Sequence, residues 1–182
     1  KFFRLNPSTK KIQKIATPED VMGRFDLASA AGNVVWYGES AANGHRMYSL
    51  STKTLKNTLV EDISKDQVAD IDLGECHPYT WVNPQGDSIC CTYYLPPHFD
   101  ASKQYPMIVN YYGGCSPTSR TFGGRYAKHA YSALGYVVLV INPRGATGFG
   151  QKWSAAHVNT AGQGVAEDII GTVKAFTAEK SY

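Results

Sequence analysis

A strand that ends in two glycines is the first feature of this sequence that could take part in chemistry. The segment Tyr105–Pro117 runs from the mostly apolar stretch Met107–Tyr112 directly into Gly113 and Gly114. Glycines at the end of a strand let the backbone approach a ligand closely and turn N–H groups toward it. Such a loop can stabilise negative charge that develops on an oxygen atom.

A second glycine-rich loop follows the next apolar stretch of the chain. Residues Tyr136–Ile141 form an unbroken apolar run, which is typical of a strand covered on both faces in a parallel sheet. The segment Asn142–Gly150 comes directly after this run. Because α/β sheets place ligand sites at the carboxyl ends of their strands, both glycine-rich loops are expected at the site.

The elements around these loops predict part of an α/β sheet. His77–Val82 and Ser88–Leu95 flank the turn Asn83–Asp87, which predicts an antiparallel hairpin. A helix capped by Gly135 is predicted between the two apolar strands, which makes a right-handed crossover. Its apolar face is predicted to consist of Tyr126, Ala127, Ala130, Tyr131 and Leu134.

A last helix is predicted from about Val165 to Ala178. Glu167 and Asp168 are placed near its N-terminus, where the helix dipole favours acidic side chains. Its apolar stripe is predicted to contain Val165, Ile169, Ile170, Val173 and Phe176.

The first 72 residues have a different sequence pattern, with short strands between polar turns. The strands are predicted at Phe2–Leu5, Lys11–Ile15, Val34–Tyr37 and Arg46–Leu50, the last two joined by a loop that contains Asn43-Gly44. So few antiparallel strands bury one face only when more sheet packs on them. We therefore predict the last part of a larger all-β domain, such as a β-propeller, in residues 1–73 and the start of an α/β domain in residues 74–182.

Composition excludes several classes of function. Eighteen basic and 15 acidic residues are scattered without a Lys/Arg run, so no nucleic-acid surface is predicted. No apolar stretch approaches the roughly 20 residues of a membrane-spanning helix. The four cysteines lack a Cys-x-x-Cys spacing, and we predict neither a metal nor a cofactor. Cys90 and Cys91 are expected to point to opposite faces of a strand.

The order of these features resembles the prolyl oligopeptidase family, nearest its dipeptidyl-peptidase branch. The order is a hairpin, a Tyr-Pro-apolar strand, Tyr-Gly-Gly, a helix, an apolar strand, Pro-Arg-Gly-x-x-Gly-x-Gly, Trp153 and an acidic helix. The resemblance covers Glu75–Tyr182 well and Lys1–Asp72 weakly. It implies an α/β-hydrolase sheet over residues 75–182, preceded by the end of a β-propeller. It also implies a serine peptidase of short peptides that acts through an acyl-enzyme.

The resemblance carries one functional residue over to this chain. In the dipeptidyl-peptidase branch, the tyrosine before the Gly-Gly pair donates its hydroxyl to the oxyanion, and this position matches Tyr112. A slip of one residue would point to Tyr111 instead, and strand alternation lets only one of the two face the site. The catalytic Ser, Asp and His are expected beyond Tyr182, so the 182 residues alone are expected to be inactive.

Three segments imitate active-site motifs. Gly38–Ala42 resembles a nucleophile elbow around Ser40, but Ala42 replaces the last glycine and the next residues predict a turn toward a strand, not a helix. Cys115 is interpreted as a plain loop residue. The spacing of Gly145–Gly150 is the reverse of the dinucleotide fingerprint and does not indicate NAD. Arg144 and Trp153 are expected to fix their loop structurally.

Other functions stay open at this level. The alternatives are an α/β-hydrolase esterase or acylase, and a non-catalytic binding module with a degenerate hydrolase domain. The resemblance implies a peptide substrate and is compatible with a homodimer of the full-length protein. It favours a periplasmic or secreted location, while a cytoplasmic location stays open.

Overall fold

A computed structural model describes residues 1–118, 120–160 and 162–182 of the chain. These residues form two compact units. Unit 1 contains residues 1–71 and 120–126, and unit 2 contains the described residues of 72–119 and 127–182. Among the described residues, no helix has the length and apolar character needed to cross a membrane.

Unit 1 is built from antiparallel strands. A hairpin of two strands, β1 and β2, precedes a sheet of four strands, β3 to β6, that pair in chain order, and a short helix, α1, follows. The bounds are β1 Phe2–Leu5, β2 Ile12–Ile15, β3 Val21–Ala28, β4 Asn33–Glu39, β5 Arg46–Ser51, β6 Asn57–Asp62 and α1 Lys65–Val68. The predicted pairing of β4 with β5 is confirmed, with Val34 opposite Leu50 and Trp36 opposite Tyr48.

The sequence patterns missed strands β3 and β6. The register of β3 shifts between Met22 and Phe25, so its side chains do not keep the simple alternation that predicts a strand. Strand β6 lies at an edge of the sheet, and its two apolar residues, Leu59 and Val60, are both more than half exposed. A polar edge strand without a buried face carries no alternation of apolar and polar residues.

A stacked aromatic pair and a buried carboxylate hold unit 1 together. The rings of Trp36 and Tyr48 stack with centroids 4.8 Å apart. The Tyr48 hydroxyl donates to Oε1 of Glu19 at 2.6 Å, and the Asn43 amide donates to Oε2 of Glu19 at 3.0 Å. Burial, and then the hydrogen bond with Glu19, raise the pKa of Tyr48 to about 12. The loop between β4 and β5 is thereby fixed to the core.

Unit 2 contains a mixed sheet of four strands in the order β7-β8-β10-β9. Strand β10 pairs parallel with β9 and antiparallel with β8. The bounds are β7 Cys76–Val82, β8 Ser88–Tyr94, β9 Met107–Tyr111, β10 Val137–Asn142, α2 Lys128–Ala133, α3 Gln151–Ala155 and α4 Gln163–Glu179. Every residue of β10 is buried, as its unbroken apolar sequence predicted. Cys90 is exposed and Cys91 is buried, which confirms that they point to opposite faces.

Helix α2 does not bury the face that its sequence predicted. Its buried residues are Lys128, His129 and Ser132, whereas Tyr126 and Leu134 are more than half exposed. The His129 ring meets Tyr94 of β8 edge-on at 5.0 Å, and the small Ser132 has no exposed surface at all. The helix has only six residues, so the contact of His129 and the burial of Ser132 are enough to decide which side faces the sheet. The predicted cap is present, because Gly135 follows the helix with a φ of +91°.

The acidic residues of helix α4 also differ from the prediction. The helix begins at Gln163, two residues before the predicted start, and its first turn contains no acidic side chain. Asp168 lies in the second turn and is fully buried. Attraction to the helix dipole therefore does not account for this carboxylate.

Gly171 of α4 makes a close contact with β7. A Cβ atom at residue 171 would lie 2.8 Å from Cζ2 and 2.9 Å from Cζ3 of the Trp81 indole. We expect Gly171→Ala to lower the free energy of unfolding of the full-length protein by about 1 to 2 kcal/mol, since the ring must move away. At a helix position without this clash, replacing glycine by alanine would instead raise the free energy of unfolding by up to about 1 kcal/mol. Urea unfolding measures the change.

The double variant gives the control for this contact. In the Trp81→Ala background the space beside residue 171 is open, so Gly171→Ala should become neutral or stabilising. The same loss of stability in both backgrounds would show that the indole is not the cause.

Candidate functional site

Tyr112 is the first residue after strand β9, and its ring folds back over Gly114. A Cβ atom at residue 114 would lie 2.7 Å from Cε1 and 3.3 Å from the hydroxyl oxygen of Tyr112. Residue 114 must therefore be glycine while the ring keeps this position. Tyr112 is 54% exposed, so a ligand can reach it.

Tyr111 has a different environment. It is the last residue of β9, is paired with Ile141 of β10, and is 50% exposed. Exposure therefore does not distinguish the two tyrosines. The contact with the glycine loop does, because the three atoms nearest to a Cβ at Gly114 all belong to the Tyr112 side chain.

Hydrogen bonds join the two glycine-rich loops. The Thr147 N–H donates to the carbonyl oxygen of Cys115 at 2.8 Å. The Thr118 N–H donates to Oδ1 of Asn142 at 2.7 Å. The loops after β9 and β10 thus lie side by side at the carboxyl ends of two parallel strands, as the sequence predicted.

A buried ion pair fixes the start of the second loop. The Arg144 guanidinium donates to both oxygens of Asp168, from Nε at 2.9 Å and from the terminal nitrogen at 2.6 Å, and the Arg144 N–H also donates to Oδ2 at 2.9 Å. The Asn83 amide approaches Oδ1 at 3.3 Å. The hydrogen bond with Asp168 raises the pKa of Arg144. Arg144 therefore has the structural role that the sequence predicted.

Helix α3 holds the middle of the same loop. The Gly145 N–H donates to the carbonyl oxygen of Trp153 at 3.0 Å. Gly145 has a φ of +94°, and a Cβ atom there would lie 2.6 Å from Cβ of His157. Only glycine meets both the left-handed conformation and this close approach.

The imitations of active-site motifs are ordinary turns and loops. Ser40 lies in the turn between β4 and β5, where its hydroxyl bonds to the Asn43 side chain and accepts from the Ala42 N–H at 3.2 Å. A strand, β5, follows this turn, so the geometry of a nucleophile elbow is not present. Cys115 is exposed in its loop. Over the described residues, no group of three His, Cys, Asp or Glu side chains is arranged to hold a metal ion.

Sequence reasoning found the loops but missed two residues that connect them to the rest of the unit. Asn142 was seen only as the first residue of the second loop, and Asp168 only as an acid near a helix end. Asp168 lies three residues after Val165, so it falls on the apolar stripe of the helix. A charged residue at such a position was the available signal that it is buried. No local pattern pointed to Asn142.

Comparisons with known proteins found one family model and a set of similar sequences and structures. Residues 125–182 match the model of the prolyl oligopeptidase family. The probable dipeptidyl-peptidase 5 of Aspergillus terreus is 38% identical over 76 residues, which is 41% of this chain and 10% of that protein. The probable dipeptidyl-aminopeptidase B of Tuber melanosporum is 29% identical over 140 residues, which is 73% of this chain and 15% of that protein.

Solved structures show the same fold. An acylaminoacyl peptidase in complex with Z-Gly-Gly-Phe-chloromethyl ketone superposes with a TM-score of 0.80 at 17% identity, over 94% of this chain and 26% of the other. Dipeptidyl peptidase 4 of Porphyromonas gingivalis superposes with a TM-score of 0.77 at 16% identity, over 96% of this chain and 25% of the other. The chain thus spans about a tenth of the first curated relative's length and a quarter of these solved chains.

Proposed function

We propose that this chain, whose residues 125–182 belong to the prolyl oligopeptidase family, is part of a serine peptidase that cleaves short peptides through an acyl-enzyme. The proposal rests on the family match and on the dipeptidyl-peptidase relatives. One observation in the structure carries the chemistry: the Tyr112 ring lies over Gly114 after β9, beside a second loop at the same sheet edge.

Tyr112 would act when the peptide carbonyl becomes tetrahedral. Attack by a serine on the carbonyl carbon moves negative charge onto the carbonyl oxygen. A hydroxyl that is already in place donates a hydrogen bond to this oxygen without reorganisation during the reaction. The nucleophilic Ser, the Asp and the His would be supplied by sequence after Tyr182, in that order, so the 182 residues alone would not turn over substrate.

The domain assignment follows from the same family relationship. Residues 1–73 would be the last part of a β-propeller, and residues 74–182 would be the first part of the α/β-hydrolase domain. The division of the chain near residue 72 and the four antiparallel strands of unit 1 support this assignment. So does the fold that the chain shares with acylaminoacyl and dipeptidyl peptidases. A homodimer of the full-length protein stays a prediction, which light scattering of the purified protein would test.

Labelling with a fluorophosphonate tests the serine mechanism. We expect one label per full-length chain, because an activated serine is phosphonylated irreversibly. Ser40→Ala is the matched control and should label as well as the wild type, since Ser40 is a turn residue. A full-length protein that does not label would refute the serine-hydrolase proposal. Loss of the label in Ser40→Ala would show that Ser40 is the labelled nucleophile.

Substrates then separate peptidase from esterase chemistry. We expect the unlabelled full-length enzyme to hydrolyse dipeptidyl or acylaminoacyl anilides, and the fluorophosphonate-labelled enzyme to be inactive. Turnover of short acyl esters without any turnover of peptides would favour the esterase alternative.

A further inference from the structure

The loop that carries Tyr112 has little internal support. Residues 112–118 contain neither helix nor strand, and all of them except Gly114 and Thr118 are exposed. Apart from its chain neighbours Tyr112 and Gly114, a Cβ atom at Gly113 would meet no atom within 4 Å. Two consecutive glycines also give the backbone wide conformational freedom. Apart from the contact of the Tyr112 ring with Gly114, packing within the loop therefore contributes little to its position.

Hydrogen bonds from the exit of strand β10 provide the missing support. The Cys115 carbonyl, three residues after Tyr112, accepts from the Thr147 N–H at 2.8 Å. At the far end of the loop, the Thr118 N–H donates to Oδ1 of Asn142 at 2.7 Å. The first bond joins two backbones, whereas in the second the Asn142 side chain forms a tether between these strand exits.

Asn142 is well placed to hold a neighbouring loop. It is the last residue of β10 and pairs with Cys90 of β8, so its backbone belongs to the sheet. Its side chain is only 5% exposed, which shields the hydrogen bond to Thr118 from competing water. A short bond from a buried and fixed donor or acceptor restricts an exposed loop more than a surface contact does.

We propose that Asn142 is a positioning residue for the oxyanion tyrosine. By accepting the Thr118 N–H, its amide oxygen sets the path of residues 112–118 and so the position of the Tyr112 hydroxyl. Asn142 itself does not touch the substrate. The inference rests on the proposed function, because it assumes that Tyr112 stabilises an oxyanion. Displacement of a catalytic group by about 1 Å can cost as much as 100-fold in rate.

Two substitutions of similar shape separate the tether from packing. Asn142→Leu removes the acceptor and is expected to lower kcat of the full-length enzyme about 10- to 100-fold, with KM changed less than about twofold, because the lost interaction acts in the transition state. Asn142→Asp keeps an oxygen acceptor and should hold kcat within about threefold of the wild type. Thr92→Val, a buried polar-to-apolar exchange on β8, is the control and should not change kcat.

Titration with a fluorophosphonate makes the comparison independent of folding yield. Each kcat is expressed per labelled site, so a misfolded fraction does not count as slow enzyme. If Asn142→Leu keeps its kcat within twofold per labelled site, or if Asn142→Asp is as slow as Asn142→Leu, the acceptor does not position the loop and the inference is wrong.

A double-mutant cycle distinguishes this inference from the function on which it rests. If Asn142 acts through Tyr112, Asn142→Leu should lower kcat less than about twofold in the Tyr112→Phe background. Equal losses in both backgrounds would overturn the positioning role while leaving the peptidase proposal intact. A Tyr112→Phe single variant with wild-type kcat would instead reject Tyr112 as the oxyanion donor, and with it the route by which Asn142 was inferred to act.

Discussion

Replacing Tyr112 by phenylalanine in the full-length protein is expected to lower kcat about 100- to 1,000-fold, the usual cost of removing one oxyanion donor. The substitution removes only the hydroxyl, and the ring can keep its position over Gly114. KM should change little, because the hydrogen bond strengthens only as charge develops on the carbonyl oxygen. Steady-state kinetics on a chromogenic peptide, expressed per fluorophosphonate-labelled site, measure both quantities.

Tyr111→Phe is the matched control for this prediction. Tyr111 is as exposed as Tyr112 and adjoins it in the chain, but it belongs to β9 and not to the glycine loop. We expect its kcat to stay within about threefold of the wild type. A large loss in Tyr111→Phe with none in Tyr112→Phe would place the donor one residue earlier, and unchanged kcat in both would reject an oxyanion tyrosine in this segment.

Turn residues and apolar runs predicted the strands that position this site. Strands β7 and β8 were predicted from the turn Asn83–Asp87 between them and β10 from its unbroken apolar run, all with bounds within one residue, because turn residues and full burial leave marks in the sequence. Strands β3 and β6 were missed for the opposite reason. One is irregular and the other is a polar edge, so burial imposes no pattern on them.

Helix faces were less predictable than strands. In α2 the polar residues His129 and Ser132 are buried while the apolar Leu134 is exposed, because a ring contact with Tyr94 and the small size of Ser132 set the packing. A spacing argument counts apolar residues and contains no information on the surface that the helix meets. Tertiary contacts can therefore override the periodicity of a short helix.

In the candidate site, too, some features could be predicted from the sequence and others could not. Its two loops and Tyr112 were predictable, since glycines at strand ends follow from local sequence. The bonds between the loops were not, because each uses backbone groups that every residue possesses: the Thr118 N–H donates to the Asn142 side chain, and the Thr147 N–H donates to the Cys115 carbonyl. Partnerships between distant residues through generic N–H and C=O groups leave no signature in one sequence.

Asp168→Ala should have the largest effect on stability, with a loss of about 3 to 5 kcal/mol in the free energy of unfolding, as is usual when one partner of a buried ion pair is removed. Asp168 is fully buried and accepts hydrogen bonds from Arg144 and Asn83; without it, the Arg144 guanidinium would be left with the half-exposed carboxylate of Glu167 at 3.8 Å. Urea unfolding of the full-length protein measures the loss. Asp72→Ala, which breaks a pair with His98 in which both side chains are exposed, should leave the unfolding midpoint unchanged within error.

Adding Arg144→Met to Asp168→Ala decides whether the unpaired charge causes that loss. Part of the stability should return, because the double variant no longer leaves a guanidinium without its carboxylate, and an apolar side chain can fill the same space. The second glycine-rich loop would lack its anchor in both variants, so kcat should be below that of the wild type even where stability recovers. A double variant less stable than Asp168→Ala would show that the Arg144 side chain stabilises the fold through its packing rather than through its charge.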